Sequence, residues 1–301
     1  MTSGHGVLHR RNVLGAAVAG GLTLSSLPRS TMATTGIRTL ASSDQLRPAY
    51  DYVIVGAGSA GCVLAHRLGR ASRRVLLVEA GGPAMLPAVE RPPQWPSLQG
   101  SELDWQYSTS PQAGLGGRVV PYPRGKALGG SSVINALAYQ RGHAAAYDRW
   151  PEGWRHADLL PYFKRLESNM FSDHPLRGQD GPVRITDRGV GDTDAISDAY
   201  VAACREAGIP ATPDYNAVNY EGVRYLEQTA WRGRRWSAAV AYLNPARSRP
   251  NLVVRTGALV HRMLLDGTRC TGVEYEWQGR RHQTSGTDCR TIWNSPFAPT
   301  A

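Results

Sequence analysis

An α/β fold with a parallel sheet is predicted by three consecutive stretches of the chain. A short apolar strand, Tyr52 to Val55, runs straight into Gly56-Ala57-Gly58-Ser59-Ala60-Gly61; a helix with Cys62, Val63, Leu64, Ala65 and Leu68 on its apolar side follows; and a second apolar strand, Val75 to Val78, ends in Glu79. Strand, Gly-x-Gly-x-x-Gly turn and helix together make a Rossmann-like unit, in which backbone N–H groups and a helix N-terminus face a pyrophosphate. Gly56 allows the tight turn, Gly58 lets a phosphate approach the backbone, and Gly61 lets helix and strand pack without a Cβ between them. Glu79 lies 18 residues past Gly61, close to the spacing at which a strand-end carboxylate accepts hydrogen bonds from a ribose diol. The unit reads as a dinucleotide site, but it does not choose between dinucleotides.

At 301 residues, 42% hydrophobic and 19% charged, the chain has room for one large domain or two ordinary ones. The net charge of +10 is carried almost wholly by arginine, since Lys126 and Lys164 are the only lysines, and the arginines are scattered instead of blocked. That distribution argues against a nucleic-acid footprint. Cys62, Cys204, Cys270 and Cys289 show no Cys-x-x-Cys spacing, so neither a metal site nor a disulfide framework is indicated, and only a single disulfide stays open. Ahead of residue 50, Arg10-Arg11 precedes a Gly- and Ala-rich apolar run from Val13 to Leu27. This pattern reads as a twin-arginine secretory signal, with cleavage after Ala33 or after Ala41, and it is too short and glycine-rich for a stable membrane span. The expected destination is periplasmic or secreted, or cytoplasmic if the leader is not functional.

Past Glu79, Gly81-Gly82-Pro83, Pro92-Pro93 and Pro96 break any period, and Trp95, Trp105 and Tyr107 add large aromatic surfaces. A connection of this length is expected to be a lid or a cofactor-covering excursion, with Trp105 as a core anchor. Arg124-Gly125-Lys126-Ala127-Leu128-Gly129-Gly130-Ser131-Ser132-Val133-Ile134-Asn135 follows. Its two glycines and two hydroxyls read either as a second cofactor-facing helix start or as an ordinary capped turn.

At this point the chain resembles a known family. Asp51 to Cys62, the Leu-Leu-Val-Glu-Ala-Gly tail around Glu79, and Arg124 to Asn135 running on to Tyr139, Gly142 and Asp148 are similar to the glucose-methanol-choline (GMC) family of FAD-dependent alcohol oxidoreductases. The resemblance implies FAD as cofactor and a small-molecule alcohol as substrate, with oxygen or a quinone- or dye-type acceptor. It implies that Gly56, Gly58, Ser59, Ala60, Gly61 and Glu79 hold the ADP half, and that Gly129, Gly130, Asn135 and Ala138 lie along the pyrophosphate and flavin. The implied fold is α/β: a Rossmann-like FAD-binding domain with an incomplete α+β substrate domain.

Farther on, Asp158 is expected to cap a helix through Leu166 with Pro161 in its first turn, and Asp194 a second helix ended by Gly208, both as packing elements. Gly181 to Ile185 is strand-like. His143, His156 and His174 read as surface or loop residues, since none has a partner at metal or triad spacing. Asp214-Tyr215-Asn216, Gln228-Thr229 and Gly233 to Ala246 continue the resemblance. A β meander closes it: Leu252 to Val254, Leu259 to Leu265, then Val273 to Trp277 turning at Gln278-Gly279. The resemblance implies an adenine contact through the backbone of Val260, which is also a core strand valine.

The expected division is a leader over 1–46, the first part of the FAD domain over 47–150, the substrate-domain part over 151–248, a return to the FAD domain over 249–284, and a divergent tail over 285–301. The resemblance covers Tyr50 to Thr284; beyond it no strand is expected, Asn294-Ser295-Pro296 reads as a displaced remnant, and a shifted frame or truncated gene model is the preferred explanation. The bare sheet edge this leaves predicts a poorly soluble or partly unfolded chain. No catalytic residue is assigned, because the family's base lies in the part that is not matched, and His261 and His282 fall in the meander. Two other readings stay open: a fragment that binds FAD weakly or not at all, and an NAD-dependent dehydrogenase, which leaves Gly129-Gly130 unexplained.

Overall fold

The computed structural model describes residues 49–70, 72–188, 194–217, 220–286 and 292–293. The expected leader with its arginine pair and both cleavage points, Cys289, and Asn294-Ser295-Pro296 lie outside the described residues.

The chain begins with β1 (Ala49–Tyr50), β2 (Tyr52–Val55), α1 (Ser59–Leu68) and β3 (Val75–Val78). The irregular run that follows holds α2 (Pro87–Glu90), a 3-10 stretch over Pro92–Leu98, and the paired strands β4 (Tyr107–Ser108) and β5 (Pro121–Tyr122). One buried carboxylate organises its far end: Asp104 accepts the N–H groups of Gly100 at 2.8 Å, Gln106 at 3.1 Å and Arg124 at 2.8 Å. Val89, Leu98, Leu103, Ala127, Val133 and Ile134 form a small core beside it. Trp105 is not a core anchor. It is half-buried, stacked on Tyr107 with centroids 5.6 Å apart, and the Lys126 ammonium lies 4.7 Å from its ring centre.

Next come α3 (Ala144–Tyr147), α4 (His156–Leu166), β6 (Glu167–Asn169), β7 (Val183–Asp187), α5 (Ala195–Glu206) and β8 (Glu227–Gln228). Strands β6, β7 and β8 form a separate three-stranded sheet. Asp158 is not the cap of α4. It sits inside the first turn and accepts the Arg155 N–H at 3.1 Å, while Pro161 falls in the helix interior, where its ring removes a backbone donor. Asp194 does cap α5, accepting the Ser197 N–H at 2.9 Å, and Gly208 follows its end with φ +84°. Neither helix buries a residue, and α5 leaves Ile196 83% and Tyr200 67% exposed. Helical spacing marked an apolar face correctly, but it carries no information about what covers that face.

The rest comprises β9 (Ala230–Trp231), β10 (Arg234–Arg235), a π-helical turn Ala239–Leu243, α6 (Asn244–Ala246), β11 (Leu252–Arg255), β12 (Ala258–Asp266), β13 (Arg269–Trp277), β14 (Arg280–Gly286) and β15 (Ile292–Trp293). The central sheet runs β11-β3-β2-β15, parallel throughout. Its strands are apolar at nearly every position because both faces are covered. Ile54, Val75, Leu77 and Val254 join Cys62, Ala65, Tyr242 and Leu243 on the helical side. Val53, Val55, Leu76 and Val78 join Tyr50, Val260, Val273, Tyr275 and Trp277 of the second sheet, β1-β14-β13-β12. The period of two along each strand thus splits one sheet between two cores, each such side chain contributing about 1.5–3 kcal/mol.

The end of the chain corrects two expectations. β14 continues to Gly286, and Ile292–Trp293 pairs parallel with Ile54 and Val55. A strand therefore does follow Thr284, and the outer edge of β2 is not bare at those two residues.

Candidate functional site

The glycine turn after β2 is closed by Glu79. Gly56, at φ +86°, donates its N–H to the Val78 carbonyl at 2.7 Å, a conformation that favours glycine. The Glu79 carboxylate then accepts the Ala57 N–H at 2.7 Å with one oxygen and the Gly81 N–H at 2.9 Å with the other. Burial raises the pKa of this acid, against the pull of the two N–H groups and of Lys126. Each oxygen keeps a second lone-pair direction, so the carboxylate can brace its own loop and still accept from a diol. Gly58 is the N-cap of α1 and supplies no side-chain cap, which leaves the first N–H groups of the helix to an external acceptor. Ser59 and Ala60 are exposed there, while Gly61 is buried against the sheet. Cys62 donates its thiol to the Ala57 carbonyl at 3.2 Å, and burial pushes its pKa up to about 12, so it is a packing residue.

The second glycine turn meets the first. Gly129 donates to the Ala57 carbonyl at 2.8 Å, and a Cβ on Gly130, whose φ is +54°, would stand 2.6 Å from the Gly58 Cα. No long helix starts here: Gly130–Val133 is a single 3-10 turn. The hydroxyls do not cap it. Ser132 donates to the Gly129 carbonyl at 2.6 Å and accepts the Ala238 N–H at 2.9 Å, while Ser131 accepts the Gly125 N–H at 3.1 Å, so both stitch distant segments onto the turn. Two backbone turns in contact, with no side chain between them, fit the diphosphate of a dinucleotide.

Beyond the turn, Asn135 and Ala138 are exposed and Leu137 between them is fully buried at φ +63°, an unusual conformation for leucine. The strand pair behind holds it: Thr229 donates to the Leu137 carbonyl at 2.9 Å, and Ala138 bridges to Gln228. Val260 is 6% exposed in β12, next to a bulge in its pairing with β13. The N–H groups of Gly257 and Ala258 bond the carbonyls of Gly81 and Glu79, both at 2.9 Å, so the start of β12 is fastened to the Glu79 tip.

Sequence reasoning named Tyr139 and Asp214 only through the resemblance and missed the buried ion network to which they belong. Arg177 is fully buried and reaches Glu167 at 2.8 Å, Asp214 at 2.7 Å and Glu227 at 2.8 Å; Arg141 reaches Glu167 at 2.7 Å, and Tyr139 donates to it at 2.6 Å. Burial opposes the charge of Arg177, but Glu227 and Glu167 outweigh it and raise its pKa. Arg235, 4% exposed, was also missed. Nothing in the spacing of these residues announces that they are buried. Among the described histidines, His66 bonds the Tyr242 carbonyl, His143 and His174 accept local N–H groups, His156 opens α4, and His261 and His282 lie in the meander. No three metal-ligating side chains cluster, no disulfide joins Cys62, Cys204 and Cys270, and no helix is long and apolar enough to cross a membrane, all among the described residues.

Comparison with known proteins adds to this geometry. The family model described as GMC oxidoreductase matches residues 50–292, past the Thr284 at which the resemblance was expected to stop. The mitochondrial choline dehydrogenase of Mus musculus is 43% identical over 248 residues, which are 78% of this chain and 41% of that protein. The oxygen-dependent choline dehydrogenase of Sinorhizobium fredii is 44% identical over 238 residues, 76% of this chain and 42% of its own length. Among solved structures, pyridoxine 4-oxidase from Mesorbium loti superposes with a TM-score of 0.77 at 33% identity, covering 81% of this chain and 49% of that one. A formate oxidase of Aspergillus oryzae gives 0.73 at 26%, covering 82% and 46%. The chain therefore spans less than half the length of these relatives.

Proposed function

The chain belongs to the GMC oxidoreductase family, whose cofactor is FAD, and on that premise we propose that it is the FAD-binding portion of an enzyme that oxidises the CH–OH group of a small-molecule alcohol. The observation that carries the reading is the contact between the two glycine turns, the Gly129 N–H on the Ala57 carbonyl with Gly130 against Gly58. In this reading Gly56, Gly58, Ser59, Ala60 and Gly61 offer backbone donors to the diphosphate, and Gly129 and Gly130 close over it. Glu79 accepts from the adenosine ribose, the Val260 backbone meets the adenine, and Asn135 and Ala138 border the flavin. Bound FAD supplies a two-electron acceptor for the hydride that leaves the alcohol carbon. The hydroxyl proton needs a base, and no described residue is assigned that role.

The choline dehydrogenases among the relatives make choline the first alcohol to try, with oxygen and a quinone- or dye-type acceptor as the two oxidants to compare. The test is the visible spectrum of the purified chain, then anaerobic addition of choline and other primary alcohols. Flavin absorbance that bleaches with alcohol is the expected result. Flavin that stays oxidised assigns the chain to binding without turnover, and a colourless chain that takes up no added FAD overturns the reading.

A further inference from the structure

Arg235 is an unusual arginine. It is 4% exposed, and among the described residues no carboxylate lies within ion-pair distance of it. All of its acceptors are neutral: its Nε donates to the Val89 carbonyl at 3.0 Å, and its Nη1 to the Ser132 carbonyl at 3.2 Å, the Asn135 carbonyl at 2.8 Å and the Asn135 side-chain oxygen at 2.9 Å. Among the described residues its Nη2 has no hydrogen-bond partner. Burying an unpaired guanidinium is costly, and burial brings its pKa down to about 10. Packing alone would be served as well by an apolar side chain.

What the guanidinium decides is the orientation of Asn135. A carboxamide has one edge that accepts and one that donates. Here Oδ1 takes two donors that can never accept, Arg235 Nη1 at 2.9 Å and the Leu137 N–H at 3.1 Å. The oxygen is thereby held toward the protein, and the NH2 edge of an exposed residue is left for whatever lies over the turn. The same bonds brace Leu137, whose backbone conformation costs on the order of 1–3 kcal/mol and persists only where its surroundings over-determine it.

We propose that Arg235 is a positioning residue for the flavin: it holds the Asn135 carboxamide so that the turn presents an N–H donor, not an acceptor, to the cofactor. This rests on the functional reading above. A donor facing an isoalloxazine acceptor atom stabilises the electron-rich reduced state more than the oxidised one, so the arrangement raises the flavin midpoint potential.

The experiment uses the full 301-residue chain loaded with FAD and measures the midpoint potential by equilibration with a reference dye, for Arg235→Lys, Arg235→Met, Asn135→Ala and each Arg235 variant combined with Asn135→Ala. Lysine keeps the charge but not the planar fork. Arg235→Lys and Arg235→Met are both expected to lower the reduced-to-oxidised ratio about tenfold, ~30 mV for a two-electron couple, and neither is expected to lower it further once Asn135 is alanine. A wild-type potential in Arg235→Lys would show that charge alone suffices and would overturn the proposal. Equal losses in both backgrounds, or a lowered melting temperature with unchanged potentials, would overturn it as well. A wild-type chain that takes up no flavin would instead sink the functional reading beneath it.

Discussion

Gly130 shows how a single atom can decide the site. A Cβ added there meets the Gly58 Cα at 2.6 Å, and the φ of +54° disfavours any L side chain. Gly117 has a comparable φ of +79° but open space around it. Gly130→Ala is therefore expected to weaken FAD binding at least tenfold, whereas Gly117→Ala carries only the backbone strain, on the order of 1–3 kcal/mol, and keeps its flavin. Titration of flavin fluorescence checks both; equal affinities would mean that the two turns need not touch. Glu79 was legible in the sequence as a strand-end acid, because its chemistry follows from its distance along the chain to Gly61. Its second duty, bracing the Ala57 and Gly81 N–H groups, was not, since those groups converge only after the loop closes.

Among the elements, β2, α1, β3 and the meander were readable, because an apolar period and a turn dipeptide are local properties. The Gln278-Gly279 turn, with φ of +51° and +71°, is the clearest instance. The sheet of β6, β7 and β8 depends instead on Arg177 and its three carboxylates. Arg177→Met is expected to lower stability by about 3–5 kcal/mol, since it leaves buried carboxylates unpaired; the urea midpoint measures this, and a loss under 1 kcal/mol would show that the carboxylates find other partners. In β13, Glu274 is held down to about 2, first by its hydrogen bond to Arg262, then by Gln283, with Arg281 adding to it. A depressed folded value means that this contribution is whole above the ordinary carboxylate pKa and disappears as pH falls through about 2. Glu274→Gln should flatten the acid-side decline in melting temperature over that window. An unchanged slope would place the decline elsewhere.

For the molecule as a whole, residues near 57, 79, 130, 235 and 258 are drawn together by a central sheet buried on both faces. Such a site exists only after folding, and we propose that the Arg10-Arg11 pair directs export by the twin-arginine route, which carries proteins already folded around a cofactor. Replacing Arg10-Arg11 with a lysine pair is expected to hold the chain in the cytoplasm, read by cell fractionation with a folded reporter. Undiminished export of the lysine-pair variant, or a native chain that is not exported, would overturn this proposal.

The strings around Gly58, Glu79 and Gly130 contained the central βαβ unit, because a glycine turn, a strand-end acid and a period of two act through their nearest neighbours along the chain, and their resemblance to the GMC family supplied the cofactor. They did not contain the bracing arginines. Arg177 and Arg235 are the same residue type as the scattered surface arginines, and a guanidinium becomes a fastener only when chain closure removes its water and supplies acceptors from residues tens of positions away. Burial is a property of the assembled molecule, so the identity of these residues was visible from the start and their work was not.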